Sequence, residues 1–284
     1  MVVALACLVF QLRMPSRAVA QADYQAVAQV LEAEAKPGDV VLLVPWWTER
    51  ARIYLPERIP VVGYLGSDQD PLELHPRIWV LSQPRMDGVY TTPNPPLTPP
   101  RSFGNLQLRL VENRQFRAPR WDAREALASA KVFLETPEGA RTDCPWDPER
   151  RAHRCPNGSE VSTEFHEVKF QPRQCIKFFP PGGTSKLVAE FFNVPGADSI
   201  ALRAGLIWDR GAFHMPELTP IDLGVQINGD AAAALTIPVG VEGLLRSEGP
   251  PIPEGAAVRV WSRSANPSLR ELCLELYGLG KSHD

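Results

Sequence analysis

At 284 residues, with 44% hydrophobic and 22% charged residues, the chain is too apolar to be disordered and long enough for two ordinary domains. Its net charge of −3 gives no reason to expect a nucleic-acid partner. The 29 prolines weigh against long helices and favour strands, turns and loops.

The N-terminal segment, residues 1–17, is apolar and then basic. Val2–Phe10 carries no polar side chain, and Arg13 and Arg17 follow it. As a helix it covers roughly 13 Å, well short of a bilayer core of about 30 Å. Three readings stand: the end of a transmembrane helix, a signal peptide cleaved near Ala18–Ala20, or a buried first segment. A secretory leader carries its positive charge before the apolar core, not after it, so the order of charge favours the membrane helix.

Residues 18–120 read as a small α/β domain. Ala18–Lys36 is rich in helix formers and ends at the stop signal Lys36-Pro37-Gly38-Asp39. Asp39–Val44 is a continuous apolar run suited to a strand buried on both faces. A helix is expected over Trp46–Leu55, and short buried strands over Ile59–Leu65 and Arg77–Leu81. This order predicts a partly parallel sheet. Thr91–Pro100 holds too many prolines for a helix or a central strand, and Phe103–Phe116 alternates as a returning strand.

Residues 121–284 read as a β-sandwich of the jelly-roll kind. From Ala128 the segments are short, alternating and separated by Gly and Pro turns. Asn228-Gly229 is a hairpin signal, since both residues suit the left-handed positions of a type I′ turn. The fold class expected overall is α+β.

Four cysteines, Cys144, Cys155, Cys175 and Cys273, fall in this second region. None forms the close C-x₂₋₄-C pair of a zinc site or the C-x-x-C pair of a redox site, so no metal is expected. Disulfides fit better. Cys144 and Cys155 bracket a charged loop with little apolar material of its own. Cys175 and Cys273 sit on strands near the two ends of the sandwich, which outer strands of a jelly roll can bring together. Alternation puts Cys175 on the face of Lys177 and Cys273 on the face of Glu275, away from the core. The alternative is four free, partly buried thiols. Bridges imply an oxidising compartment, the periplasm or the extracytoplasmic face of a bacterial membrane. Arg13 and Arg17 pull the other way under the positive-inside rule, with less weight.

No catalytic residue and no cofactor site is assigned. Asp68-Gln69-Asp70 has the Asp-x-Asp form of a metal-nucleotide site but lies in a loop. Pro180–Lys186 lacks the G-K-[ST] ending of a phosphate loop. The ligand-binding candidates are aromatic. Trp46 and Trp47 follow the first strand, where α/β sheets place ligands. Trp208, Asp209, Arg210 and His214 form the most ligand-like cluster, and Trp208 and Trp261 lie in the sandwich, where an exposed tryptophan can stack on a sugar.

Glu34–Leu65 followed by Arg77–Pro84 resembles the soluble C-terminal region of bacterial membrane glycosyltransferases of the GT-C type, family 39-like. The similarity covers about residues 18–110. Lys186–Asp209, Asp222–Asp230 and Ala256–Ser264 are similar in order to sandwich modules with carbohydrate-binding relatives. The first resemblance implies a non-catalytic exported accessory region of an enzyme that uses a polyprenyl-phosphate sugar, with its membrane helices and catalytic acid outside this chain. The partners implied are a glycan or polyprenyl-linked sugar, and a membrane through the N-terminal segment. The second implies a carbohydrate-binding or cell-surface interaction module acting alone.

Overall fold

The structure is a computed structural model, described for residues 19–45, 48–63, 72–83, 96–169, 171–207, 217–241, 243–267 and 270–282. It divides into two compact units, residues 1–117 with 282–284, and residues 118–281.

In the first unit, helix α1 (Gln21–Glu34) places Tyr24, Val27 and Leu31 on one stripe and buries them. The Asp23 carboxylate accepts from the Ala20 N–H at 3.1 Å and holds the first turn. The chain then turns at Gly38, whose φ is +88°. Five strands follow: β1 (Val40–Val44), β2 (Val61–Gly63), β3 (Arg77–Ser82), β4 (Arg101–Phe103) and β5 (Leu106–Glu112). Their order is β2-β1-β3-β5-β4, parallel across β2-β1-β3 and antiparallel beyond. The helix expected over Trp46–Leu55 is, among its described residues, a 3₁₀ turn at Glu49–Ile53. Asp39 is buried at the start of β1, where it accepts from the Trp79 indole N–H at 2.8 Å and from Arg77 at 2.6 Å. A charged pair closed by an indole ties β1 to β3 without leaving the carboxylate unsatisfied.

The second unit is a sandwich. After β6 (Arg117–Asp122) and the short helix α2 (Ala123–Ala126) come β7 (Lys131–Glu135), β8 (Arg141–Asp143), β9 (Trp146–Asp147), β10 (Ala152–Arg154), β11 (Glu160–Val168), β12 (Gln171–Phe178) and β13 (Lys186–Val194). Then come β14 (Ser199–Leu206), β15 (Ile221–Ile227), β16 (Asp230–Ile237), β17 (Leu245–Gly249), β18 (Ala256–Arg263) and β19 (Leu272–Ser282). One sheet runs β17-β14-β19-β12-β11-β10-β9, with β6 also on β19; the other runs β16-β15-β18-β13-β7-β8. Strands late in the chain cross repeatedly between the sheets, and one apolar core lies between them. The β15–β16 turn has Asn228 at φ 52° and Gly229 at φ 94°, as a type I′ hairpin requires. Strands so dominate the described chain that α+β is accurate only for the first unit.

Both disulfides are formed, Cys144–Cys155 and Cys175–Cys273. Two details of the sequence reading are corrected. The Cys144–Cys155 segment is not short of buried material: Cys144 and Cys155 belong to the sandwich core, Trp146 packs against it, Ala152 is buried, and β9 and β10 pair within the segment. Each His153 ring nitrogen faces a backbone carbonyl, that of Cys144 at 3.0 Å and that of Leu127 at 2.9 Å. Nor do Cys175 and Cys273 lie on outer strands, because β12 and β19 are neighbours inside one sheet. They do face away from the core, yet both are fully buried.

Candidate functional site

The outer face of the six-stranded sheet follows from alternation. On β15, Leu223, Val225 and Ile227 point into the core, so Asp222, Gly224 and Gln226 point out. On β18, Val258 and Val260 point in, so Arg259, Trp261 and Arg263 point out. The register sets Asp222 opposite Arg263 and Gly224 opposite Trp261.

Trp261 is half-buried because its indole lies over Gly224; a Cβ on that glycine would overlap the ring. A strand glycine costs backbone entropy, and here it gives room for a large side chain to lie down. On the β13 side, the Lys186 ammonium stands 4.4 Å from the indole centroid. A cation–π contact near the surface contributes about 0.5–1 kcal/mol, small enough for a ligand to displace the ammonium from the ring.

Beside the ring, Arg263 donates to Asp222 at 3.2 Å, and the Thr236 hydroxyl donates to the other oxygen of Asp222 at 3.0 Å. Both ends of the Asp222–Arg263 pair remain well exposed. Farther along, Phe133 is buried beneath two guanidiniums, Arg141 at 4.5 Å and Arg259 at 5.6 Å from its centroid. Both ion-pair with Glu135. The face therefore offers a half-buried aromatic platform at Trp261, with a carboxylate and a guanidinium fixed at its side. That is the chemistry for holding a polyhydroxylated ring: apolar C–H bonds against the indole, hydroxyls against the ion pair.

The outer face of the eight-stranded sheet is polar in a different way. Glu275, 3% exposed, accepts from Arg203 at 3.3 Å and from Arg173 at 3.5 Å, which are 2% and 6% exposed. Burial lowers the Arg203 pKa, and the Glu275 charge opposes that shift. The Tyr277 ring lies 5.5 Å from the Arg203 guanidinium and 5.4 Å from that of Arg124. Burial first, and then the charge of Glu275, push the Tyr277 phenol up. Arg124 donates to Asp122 and to the Gln174 carbonyl, and so fastens α2 to β12. Glu275, Arg173, Arg203 and Tyr277 are closed off from solvent, and the cluster holds strands together.

Trp46, Trp47, Trp208, Asp209, Arg210 and His214, the ligand candidates from sequence, lie outside the described residues, as does Asp68–Asp70. Trp261 is described and sits at the platform. Asp222, Gly224, Arg263 and Lys186 were missed. The signal was present: a glycine in the middle of Ile221–Ile227, and a tryptophan at an outward position of the alternating Ala256–Arg263. Among the described residues, no group of three His, Cys, Asp or Glu side chains is placed to hold a metal, and no helix is long and apolar enough to cross a membrane.

No family model matches the chain, and no curated protein matches it. The glycosyltransferase resemblance thus rests on the sequence pattern alone. Solved structures with slight similarity include CBM51-2 with INT domains of Clostridium perfringens ZmpB in complex with GlcNAc, at 12% identity over 52% of this chain and 36% of that one, TM-score 0.31. The CBM22-1–GH10 modules of Clostridium thermocellum xylanase 10B, complexed with xylohexaose, give 9% identity over 43% and 25%, TM-score 0.29. A Stig cyclase from Fischerella sp. TAU gives 11% identity over 53% and 89%, TM-score 0.31. The chain spans about a third or less of the two clostridial chains, and similarities at this level carry no argument about function.

Proposed function

We propose that the sandwich is a non-catalytic carbohydrate-binding module of an exported protein, with its glycan on the outer face of the six-stranded sheet. The observation that carries this reading is the half-buried Trp261 indole, laid over Gly224 beside the exposed Asp222–Arg263 pair. Two disulfides support export, because such bonds persist in oxidising compartments. The test is affinity electrophoresis of the full chain through gels containing soluble β-glucan, xylan, galactomannan or polygalacturonate. Retardation of the wild type by at least one polymer, lost in Trp261→Ala with an unchanged thermal melt, is the expected result. Free migration in every gel, or retardation indifferent to Trp261→Ala, overturns the assignment.

A second reading concerns the first unit. Its parallel β2-β1-β3 core with α1 agrees with the resemblance of residues 18–110 to the exported region of GT-C glycosyltransferases. In that reading the module works beside a membrane enzyme and helps to hold its glycan or acceptor. Translation of the DNA upstream of Met1 tests it: further in-frame hydrophobic spans support it, and an in-frame stop ends it.

A further inference from the structure

Resting on the carbohydrate-binding reading, we propose that the ligand is a neutral, unbranched oligosaccharide lying along β13 and β18, with a second stacking position on Phe192. Phe192 is 55% exposed. Its direction is set by a bulge. Phe191 and Val194 both point into the core, the register shifts between them, and Asn193 takes φ 53°. Phe192 and Asn193 are therefore turned out on the face that carries Trp261.

The spacing gives the length of the occupant. Val188 is the cross-strand partner of Trp261, and Phe192 lies four residues farther along β13. At about 3.3 Å per residue, the two rings are about 13 Å apart along the strand direction. That span exceeds one sugar ring, so a monosaccharide reaches one platform and a chain reaches both. Between them lie Glu190 and its register partner Arg259, with Gln226 next across on β15. Two apolar platforms separated by a polar floor match a chain that alternates ring faces with hydroxyls.

The charges indicate neutrality. Arg263 pairs with Asp222, Glu135 takes both Arg259 and Arg141, and Glu190 stands opposite Arg259, so positive and negative groups are interspersed within the face. A polyanion needs a field of one sign, which interspersed pairs do not supply.

The experiment is titration calorimetry of the full chain against cello- and xylo-oligosaccharides of one to six residues, with oligogalacturonates as the acidic comparison. Affinity for one neutral series should rise with length and level off once both rings are spanned. Phe192→Ala should weaken the longer oligomers roughly two- to tenfold and leave the shortest binder unchanged. If Trp261→Ala abolishes binding while Phe192→Ala matches the wild type at every length, the single platform stands and the extended track fails. Binding of oligogalacturonates alone overturns the neutral class. Absence of binding to all three series removes the track together with the reading beneath it.

Discussion

Gly224 and Trp261 are register partners on β15 and β18, and the indole rests in the space that a side chain on the glycine would fill. The pair converts a backbone liability into a flat apolar surface. Gly224→Val should lift the ring off the sheet. The added methyls face outward, so the stability loss should stay within about 1–3 kcal/mol of overpacking. Polysaccharide retardation should nevertheless be lost. A variant that binds like the wild type would show that the lie of the ring is irrelevant to binding.

Glu275 is the carboxylate shared by two buried guanidiniums. Glu275→Ala withdraws it from Arg173 and Arg203 and should cost about 3–5 kcal/mol in denaturant unfolding, the usual penalty for breaking a buried ion pair. A loss under 1 kcal/mol would mean that the cluster contributes little to holding β12, β14 and β19 together.

The two disulfides close loops of very different size, with sequence separations of 11 and 98. In the chain-entropy model, removing Cys175–Cys273 by paired Ala substitutions costs up to about 4.7 kcal/mol, and removing Cys144–Cys155 about 3 kcal/mol or slightly less. Chemical denaturation of the two double variants under oxidising conditions compares them. The reverse order would assign the smaller loop a packing role beyond closure.

His75 gives the first unit a pH dependence. Its Nδ1 lies 2.9 Å from the Gly38 carbonyl, and burial holds its pKa below the ordinary imidazole value against that contact and Asp39. The unfolded chain therefore binds the proton more readily than the folded one. Stability is full above the unfolded value of about 6.5 and declines as pH falls from there toward the folded value. Thermal melts between pH 8 and pH 5 should show a steeper acid-side loss in the wild type than in His75→Gln. Parallel profiles would discount the histidine.

Much of the strand pattern was legible because alternation and turns report directly on a half-buried sheet: Ile221–Ile227, Ala256–Arg263 and the Asn228-Gly229 turn read as they fold. The short strands β8 to β10 were not, since residues such as Arg141–Asp143 are all exposed and take their pairing from neighbours. The positions of Cys175 and Cys273 were misjudged because strand order is a long-range property. Nothing local in Leu272–Ser282 says that it lies between β14 and β12. The platform was half legible. Trp261 stands out, but its meaning depends on Gly224, found 37 residues earlier and joined to it only by register.

Strand β19, the last of the described strands to leave the ribosome, sits in the middle of its sheet, with β14 along one edge and β12 and β6 along the other. Until it arrives, the flanking strands have no common neighbour, and the sheet exists only as separate halves. The sandwich is thus assembled from contacts distant in sequence, the regime of slow folding. A chain emerging in order, from a ribosome or through a membrane pore, stays open until this segment is delivered. Shortening the chain before Leu272 should therefore abolish the domain as a unit rather than trim its edge.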